Sequence, residues 1–284
     1  MAVLIPSLVR EWLQGGVAVD LDLVQLALIS VVGVVAGTIN TLVGGGTLLV
    51  LPLLIFVGIP PLVANGTNRV CVAIQAAVAG WTMNREQRNL AAGTDGPPLN
   101  GSAKVGWWPF VLVFLSAIPG AWGAIQMDTL DTELFKQVMG GVLLAAVAAF
   151  LLLKTPAPGA AGGRSLGGGG FALGCILCGL YGGFMGAGIG AFVILLLTTA
   201  LRLPIVDAVR CKVWLVMVLS TAAGVWYLAH GIFHFETALA LIPSYALGGM
   251  IGGRVVLRGG DRVLKPLVAI FSAALALAIL GGWS

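Results

Sequence analysis

A chain of 284 residues that is 59% hydrophobic and only 9% charged, with a mean hydropathy of +1.04, lies far outside the soluble mix of roughly 45–50% apolar and about 25% charged residues. That composition excludes a water-soluble domain, and several apolar stretches reach the roughly 20 residues that cross about 30 Å of hydrocarbon. The class is therefore an all-α polytopic membrane protein with the lipid bilayer as a partner; the net charge of +4 falls mostly in loops, where it sets orientation, and nucleic acid is not a partner.

Residues 1–20 contain MAVLIPSLVREWLQGG, without a basic n-region or a clear cleavage site, and read as an interfacial N-terminal segment rather than a signal peptide. The first apolar run, 21–43, meets Gly44, Gly45 and Gly46, and the piece that follows, 47–57, is too short to span. A re-entrant hairpin with its tip shielded by protein is expected, because unpaired backbone cannot face lipid. Pro60 and Pro61 turn the chain into a span at 62–83, followed by a polar loop at 84–106 and spans at 107–126 and 134–153. The first transmembrane repeat is thus 21–153. KTPAPGAAGGRSLGGGG, 154–170, is a Gly/Pro linker. The second repeat, 171–284, holds a hairpin at 171–201 and spans at 204–229, 237–256 and 263–283.

The halves carry the same order of parts. Gly37, Gly44 and Gly46 pair with Gly179, Gly186 and Gly188 at one constant offset, and after a small slip Ala64, Thr67 and Asn68 pair with Ala208, Cys211 and Lys212. Arg85, Arg88 and Lys104, then Lys154 and Arg164, then Arg254, Arg258, Arg262 and Lys265 form three basic connections. If both glycine segments are hairpins, all three fall on one face, which the positive-inside rule makes cytoplasmic. The expected fold is two inverted-topology repeats, each a re-entrant glycine hairpin plus three transmembrane helices, in the cell (inner) membrane.

Chemistry is expected at the hairpin tips. Gly45, Gly46, Gly186 and Gly188 leave backbone N–H groups free to form an anion-binding nest, whereas Gly37, Gly174 and Gly179 read as close-packing positions. Arg69 and Lys212 lie about 10–12 Å into their spans, at a depth where an unpaired charge costs at least about 2.5–3.5 kcal/mol. A buried cation there calls for a partner or an anion. Arg210 is placed either to bind or to snorkel back to the headgroups. Asn65, Thr67, Asn68 and Cys211, with Asn40 and Tyr181 on the approach helices, add neutral donors suited to an oxyanion.

Trp81 and Trp226 fit the interfacial aromatic belt. His230 and His234 read as solvated residues of a short outer loop. Cys175 and Cys178 form a CxxC without the further ligands a zinc site needs, and no glycine cluster has a Walker A ending, so neither metal nor cofactor is expected and the chain is not read as an enzyme.

GTINTLVGGGTLLVLPLLIFVGIPPLVANGTNRV, with its glycine run, proline-marked turn and A-x-G-T-N-[KR] helix start, resembles the first signature of the TauE/SafE sulfite exporter family. GGFMGAGIGAFVILLLTTALRL is similar to that family's second copy. The resemblance implies a multi-pass transporter of sulfur-containing anions such as sulfite, thiosulfate, sulfoacetate or other organosulfonates. The first element falls on Ala64, Gly66, Thr67, Asn68 and Arg69; the second copy departs from the pattern, with Arg210, Cys211 and Lys212 placing positive charge where the family's motif is often neutral. The expected mechanism is alternating access around a small anionic substrate held between the halves. Rival readings are a transporter or channel for another small anion such as a carboxylate and, more remotely, a thiol oxidoreductase using Cys175 and Cys178. A homodimer is a candidate assembly.

Overall fold

The computed structural model describes residues 21–92, 105–130 and 167–280, all of whose regular structure is helical. The eight helices are α1 (Leu23–Leu42), α2 (Thr47–Phe56), α3 (Pro61–Ala92), α4 (Trp108–Leu130), α5 (Gly168–Phe184), α6 (Ile189–Ala200), α7 (Ile205–Ala229) and α8 (Phe235–Leu280). The interfacial segment, the span at 134–153 and residues 154–166 of the linker lie outside the described residues.

Each boundary has a local cause. A reciprocal capping box opens α1: the Gln25 amide donates to Asp22 Oδ1 at 2.7 Å, and the Asp22 amide donates to Gln25 Oε1 at 3.0 Å. This satisfies two donors that a helix start otherwise leaves orphaned. Gly44, with φ at +92°, closes α1 in a conformation that side-chain-bearing residues rarely adopt. α2 and α6 have 10 and 12 residues, which at about 1.5 Å per residue is roughly half of a bilayer crossing.

Four stretches are long and apolar enough to cross a membrane: Leu23–Leu42, Trp108–Thr129, Ile205–Ala229 and Phe235–Arg258. α3 is longer still, at 32 residues, and carries the polar run from Asn65 to Arg69 through the interior of the protein.

Two connections expected from the sequence are helical instead. α3 continues through Ala92 because Arg, Glu, Gln, Leu and Ala after Met83 are good helix formers and the first breaker is Gly93. The turn expected between spans at 237–256 and 263–283 is absent: α8 runs unbroken for 46 residues. Gly259 and Gly260 each cost a helix only about 1 kcal/mol relative to alanine, which the helix formers on either side outweigh.

The long helices interlock. α8 lies along α1 and α3, α4 lies along α5 and α7, and α3 and α7 pack on each other at the centre. Glycines permit the closest approaches: a Cβ on Gly37 would lie 2.9 Å from the Tyr245 carbonyl, and one on Gly179 would lie 2.8 Å from the Val113 carbonyl. These positions serve packing, as expected of small residues between spans. Leu, Val and Ile side chains face outward along α1, α4 and α5, including Leu23, Val31, Leu115 and Leu173, as befits helices bathed in lipid.

Candidate functional site

A helix C-terminus leaves its last carbonyls without intrahelical donors. At the end of α5 those carbonyls are met by side chains from other helices. Arg69 of α3 donates from Nη2 to the Met185 carbonyl at 2.6 Å, and Asn65, one turn earlier, donates from Nδ2 to the Phe184 carbonyl at 2.8 Å. The Tyr227 hydroxyl of α7 reaches the Gly183 and Phe184 carbonyls at 3.0 and 3.2 Å, and accepts from Asn65 Nδ2 at 3.1 Å. Tyr181 donates to the Ala187 carbonyl at 2.5 Å, bracing the break from within the second half.

Arg69 is completely buried. Among the described residues no carboxylate pairs with it, and its Nε and Nη1, like Asn65 Oδ1, have no hydrogen-bond partner. The guanidinium lies against Gly186, whose φ is +62°; a Cβ there would come within 2.2 Å of Nη1. Glycine is required at that position both for the backbone turn and for the cation's approach.

The end of α1 is treated similarly. Lys212 of α7, also buried, donates from Nζ to the carbonyls of Asn40 at 2.7 Å and Thr41 at 2.8 Å. A cation at a helix C-terminus is favoured by the dipole as well as by the hydrogen bonds. Asn40 Nδ2 donates to Gln75 Oε1 at 2.6 Å, and Gln75 Nε2 donates to Thr41 Oγ1 at 2.6 Å. Asn68 links α3 to α2 through Thr47 Oγ1 at 3.3 Å and accepts from the Tyr245 hydroxyl of α8 at 2.8 Å. The two breaks touch, since a Cβ on Gly44 would lie 2.2 Å from the Cα of Gly190.

Of the residues singled out from sequence, Asn40, Asn65, Thr67, Asn68, Arg69, Tyr181 and Lys212 all engage the breaks or the elements around them. Gly45, Gly46 and Gly188 are in the breaks themselves, and their amides, with that of Ala187, are bonded to no acceptor among the described residues. Arg210 and Cys211 sit elsewhere: Arg210 is partly buried, hydrogen-bonds Gln87 Oε1 and lies 3.6 Å from Asp207, and Cys211 is half-buried beside it in sequence.

His234 is not the solvated residue expected. It is buried, its amide donates to Thr67 Oγ1 at 2.9 Å, and its Nδ1 lies 2.8 Å from Thr237 Oγ1 at the start of α8. The orphan donors of that helix start draw it inward. His230 is exposed, as expected.

Tyr227 and Tyr245 escaped the sequence reading. The signal was available: the chain has only three tyrosines, and a hydroxyl within an apolar span must find a partner. Among the described residues no group of His, Cys, Asp and Glu could hold a metal, and all four cysteines are free.

A family model described as sulfite exporter TauE/SafE matches residues 29–279. The chain belongs to the TauE/SafE sulfite exporter family. This is a family of membrane transporters, not of enzymes, which removes the thiol oxidoreductase reading. The TauE/SafE chain is 26% identical over 262 residues to a "Probable membrane transporter protein" of Haemophilus influenzae, covering 89% of this chain and 93% of that one. It is 26% identical over 269 residues to "Probable membrane transporter protein ORF9" of a Sinorhizobium species, covering 92% and 94%. With "Probable membrane transporter protein YfcA" of Escherichia coli K12 it shares 24% identity over 258 residues, covering 90% and 89%. No solved structure matches this TauE/SafE chain.

Proposed function

We propose that this protein is a secondary transporter of small sulfur-containing anions, such as organosulfonates, sulfite or thiosulfate, working by alternating access in the cell (inner) membrane with its basic stretches on the cytoplasmic side. The observation that carries the reading is Arg69: a guanidinium sealed in the protein, without a carboxylate, with Nε and Nη1 unpartnered beside a glycine break. An oxyanion supplies acceptors to those free N–H groups, and the amides of Ala187 and Gly188, just ahead of α6, are further unpaired donors at the same break.

In this reading the halves at 21–153 and 171–284 are inverted repeats, each opening with a re-entrant hairpin. Two relations support it. α8 lies on α1 and α3 as α4 lies on α5 and α7, so the last described helix of each half covers the first helix of the other. The cations cross over in the same way, Arg69 of the first half capping α5 and Lys212 of the second capping α1. Both charges are closed off from solvent here, which fits an occluded stage of a cycle in which the breaks open alternately to the two faces.

Exchange in proteoliposomes, comparing sulfite, thiosulfate, sulfoacetate, sulfate and lactate, tests the reading. Saturable exchange of a sulfonate, sulfite or thiosulfate with lactate ignored is expected; movement of lactate alone would overturn the substrate class, and flux that does not saturate would favour a channel.

A further inference from the structure

Resting on that reading, we propose that the anion bound at the Arg69 break carries a hydrogen-bond donor of its own, so that sulfonates bearing a hydroxyl group and singly protonated sulfur oxyanions are taken in preference to donorless anions of similar size.

Asn65 and Arg69 are four residues apart on α3 and therefore share a face of that helix. Each spends one nitrogen on a carbonyl at the end of α5, Asn65 on Phe184 and Arg69 on Met185. Each keeps an unpartnered remainder, Oδ1 on Asn65 and Nε with Nη1 on Arg69, in a region fully closed to solvent. The orientation of the amide is determined by its surroundings. A carbonyl only accepts, so the NH₂ end must face Phe184, and the Tyr227 oxygen that also receives it is already donating to the α5 carbonyls.

The unsatisfied set is thus mixed: two donor nitrogens on a cation, with three N–H groups between them, and one acceptor. A bare oxyanion can answer donors on Arg69 but offers nothing to Oδ1, which stays a buried, unpaired acceptor. An anion with its own O–H answers both. Sites built around a buried hydrogen-bonding group reject analogues that lack its complement, because the group is then left unpaired. The sulfur anion's charge engages Arg69, and Asn65 reads what else it carries.

Competition against exchange by the wild-type protein in proteoliposomes decides this, using 2-hydroxyethanesulfonate and ethanesulfonate, which differ by one hydroxyl. The hydroxylated compound is expected to inhibit at a concentration roughly tenfold lower or better. Without an acceptor in the site the added hydroxyl would weaken binding, since it must shed water without compensation. In Asn65→Leu the preference should collapse towards parity while ethanesulfonate still competes. Equal inhibition of the wild type, or an undiminished preference in a monodisperse Asn65→Leu, overturns the inference; if that variant does not fold, the wild-type pair decides alone. Equal competition by both sulfonates leaves the transport reading standing, whereas failure of every sulfur anion to exchange overturns that reading and this inference with it.

Discussion

Gly44 and Gly190 meet backbone to backbone: a Cβ built on Gly44 would fall 2.2 Å from the Cα of Gly190, and one on Gly190 would fall 2.4 Å from the Cα of Gly44. Neither contact can relax through a side-chain rotation, because both partners are main chain. Gly44→Ala also forces alanine to φ near +92°. The variant is expected to lose about 3 kcal/mol or more, combining backbone strain with overpacking. Gly123→Ala is the control, since nothing lies within 4 Å of a Cβ there, and it should be neutral or stabilising by up to about 1 kcal/mol. Thermal unfolding in detergent compares the two.

Arg69 combines a cap with unpartnered N–H groups on Nε and Nη1, and the two roles separate by substitution. Arg69→Lys keeps a positive charge but loses the planar fork that serves Met185 and a ligand together. Exchange should weaken by tenfold or more, mainly through a higher apparent KM, with the fold retained. Arg69→Ala should abolish exchange and lower stability as well, since the Met185 carbonyl loses its donor. Wild-type KM in Arg69→Lys would argue that the guanidinium only caps α5.

Lys212 and Arg210 are two residues apart yet should behave differently. Lys212→Met leaves the Asn40 and Thr41 carbonyls without their Nζ donor, at a cost of about 1–3 kcal/mol for each buried group left unpaired. Arg210 has its partners Gln87 and Asp207 in a partly exposed setting, where such pairs contribute about 0–1 kcal/mol. Arg210→Ala should therefore retain stability, and an apparent KM within about threefold of wild type is expected. Parallel melting curves and exchange kinetics for the two variants check this.

Tyr245 holds Asn68 from α8, and Thr67 holds the His234 amide at the turn into α8. Tyr245→Phe and Thr67→Val each remove one buried partner, with an expected loss of about 1–3 kcal/mol. The substitutions lie on neighbouring residues' networks, so the double variant should depart from additivity. A strictly additive double variant would indicate that α3 and α8 are not coupled through these bonds.

Much of the architecture was legible in residue order alone. Apolar length set the class, and Gly44–Gly46 and Gly186–Gly188 marked the breaks because a short helix bounded by glycine cannot cross a bilayer by itself. The depth of Arg69 and Lys212 within apolar runs marked them as charges in need of partners. The basic stretch after Arg254 was misread as a turn, because glycine and charge signal a loop only where the flanking helices do not carry the chain through, and α8 does.

The sequence by itself determined that this is a helical membrane transporter of the TauE/SafE family, where two of its helices break and which cations lie deep in apolar runs, because these follow from hydropathy, length and local backbone freedom. Tertiary structure alone decided what those cations do. Arg69 reaches the Met185 carbonyl, 116 positions away, and Lys212 reaches Asn40, 172 away. Local preferences carry no information about which carbonyls will be left over at such separations. Packing α3 against α7 brings each cation to the open end of a helix in the other half, pairs Arg210 with Gln87, and leaves Arg69 with donors to spare.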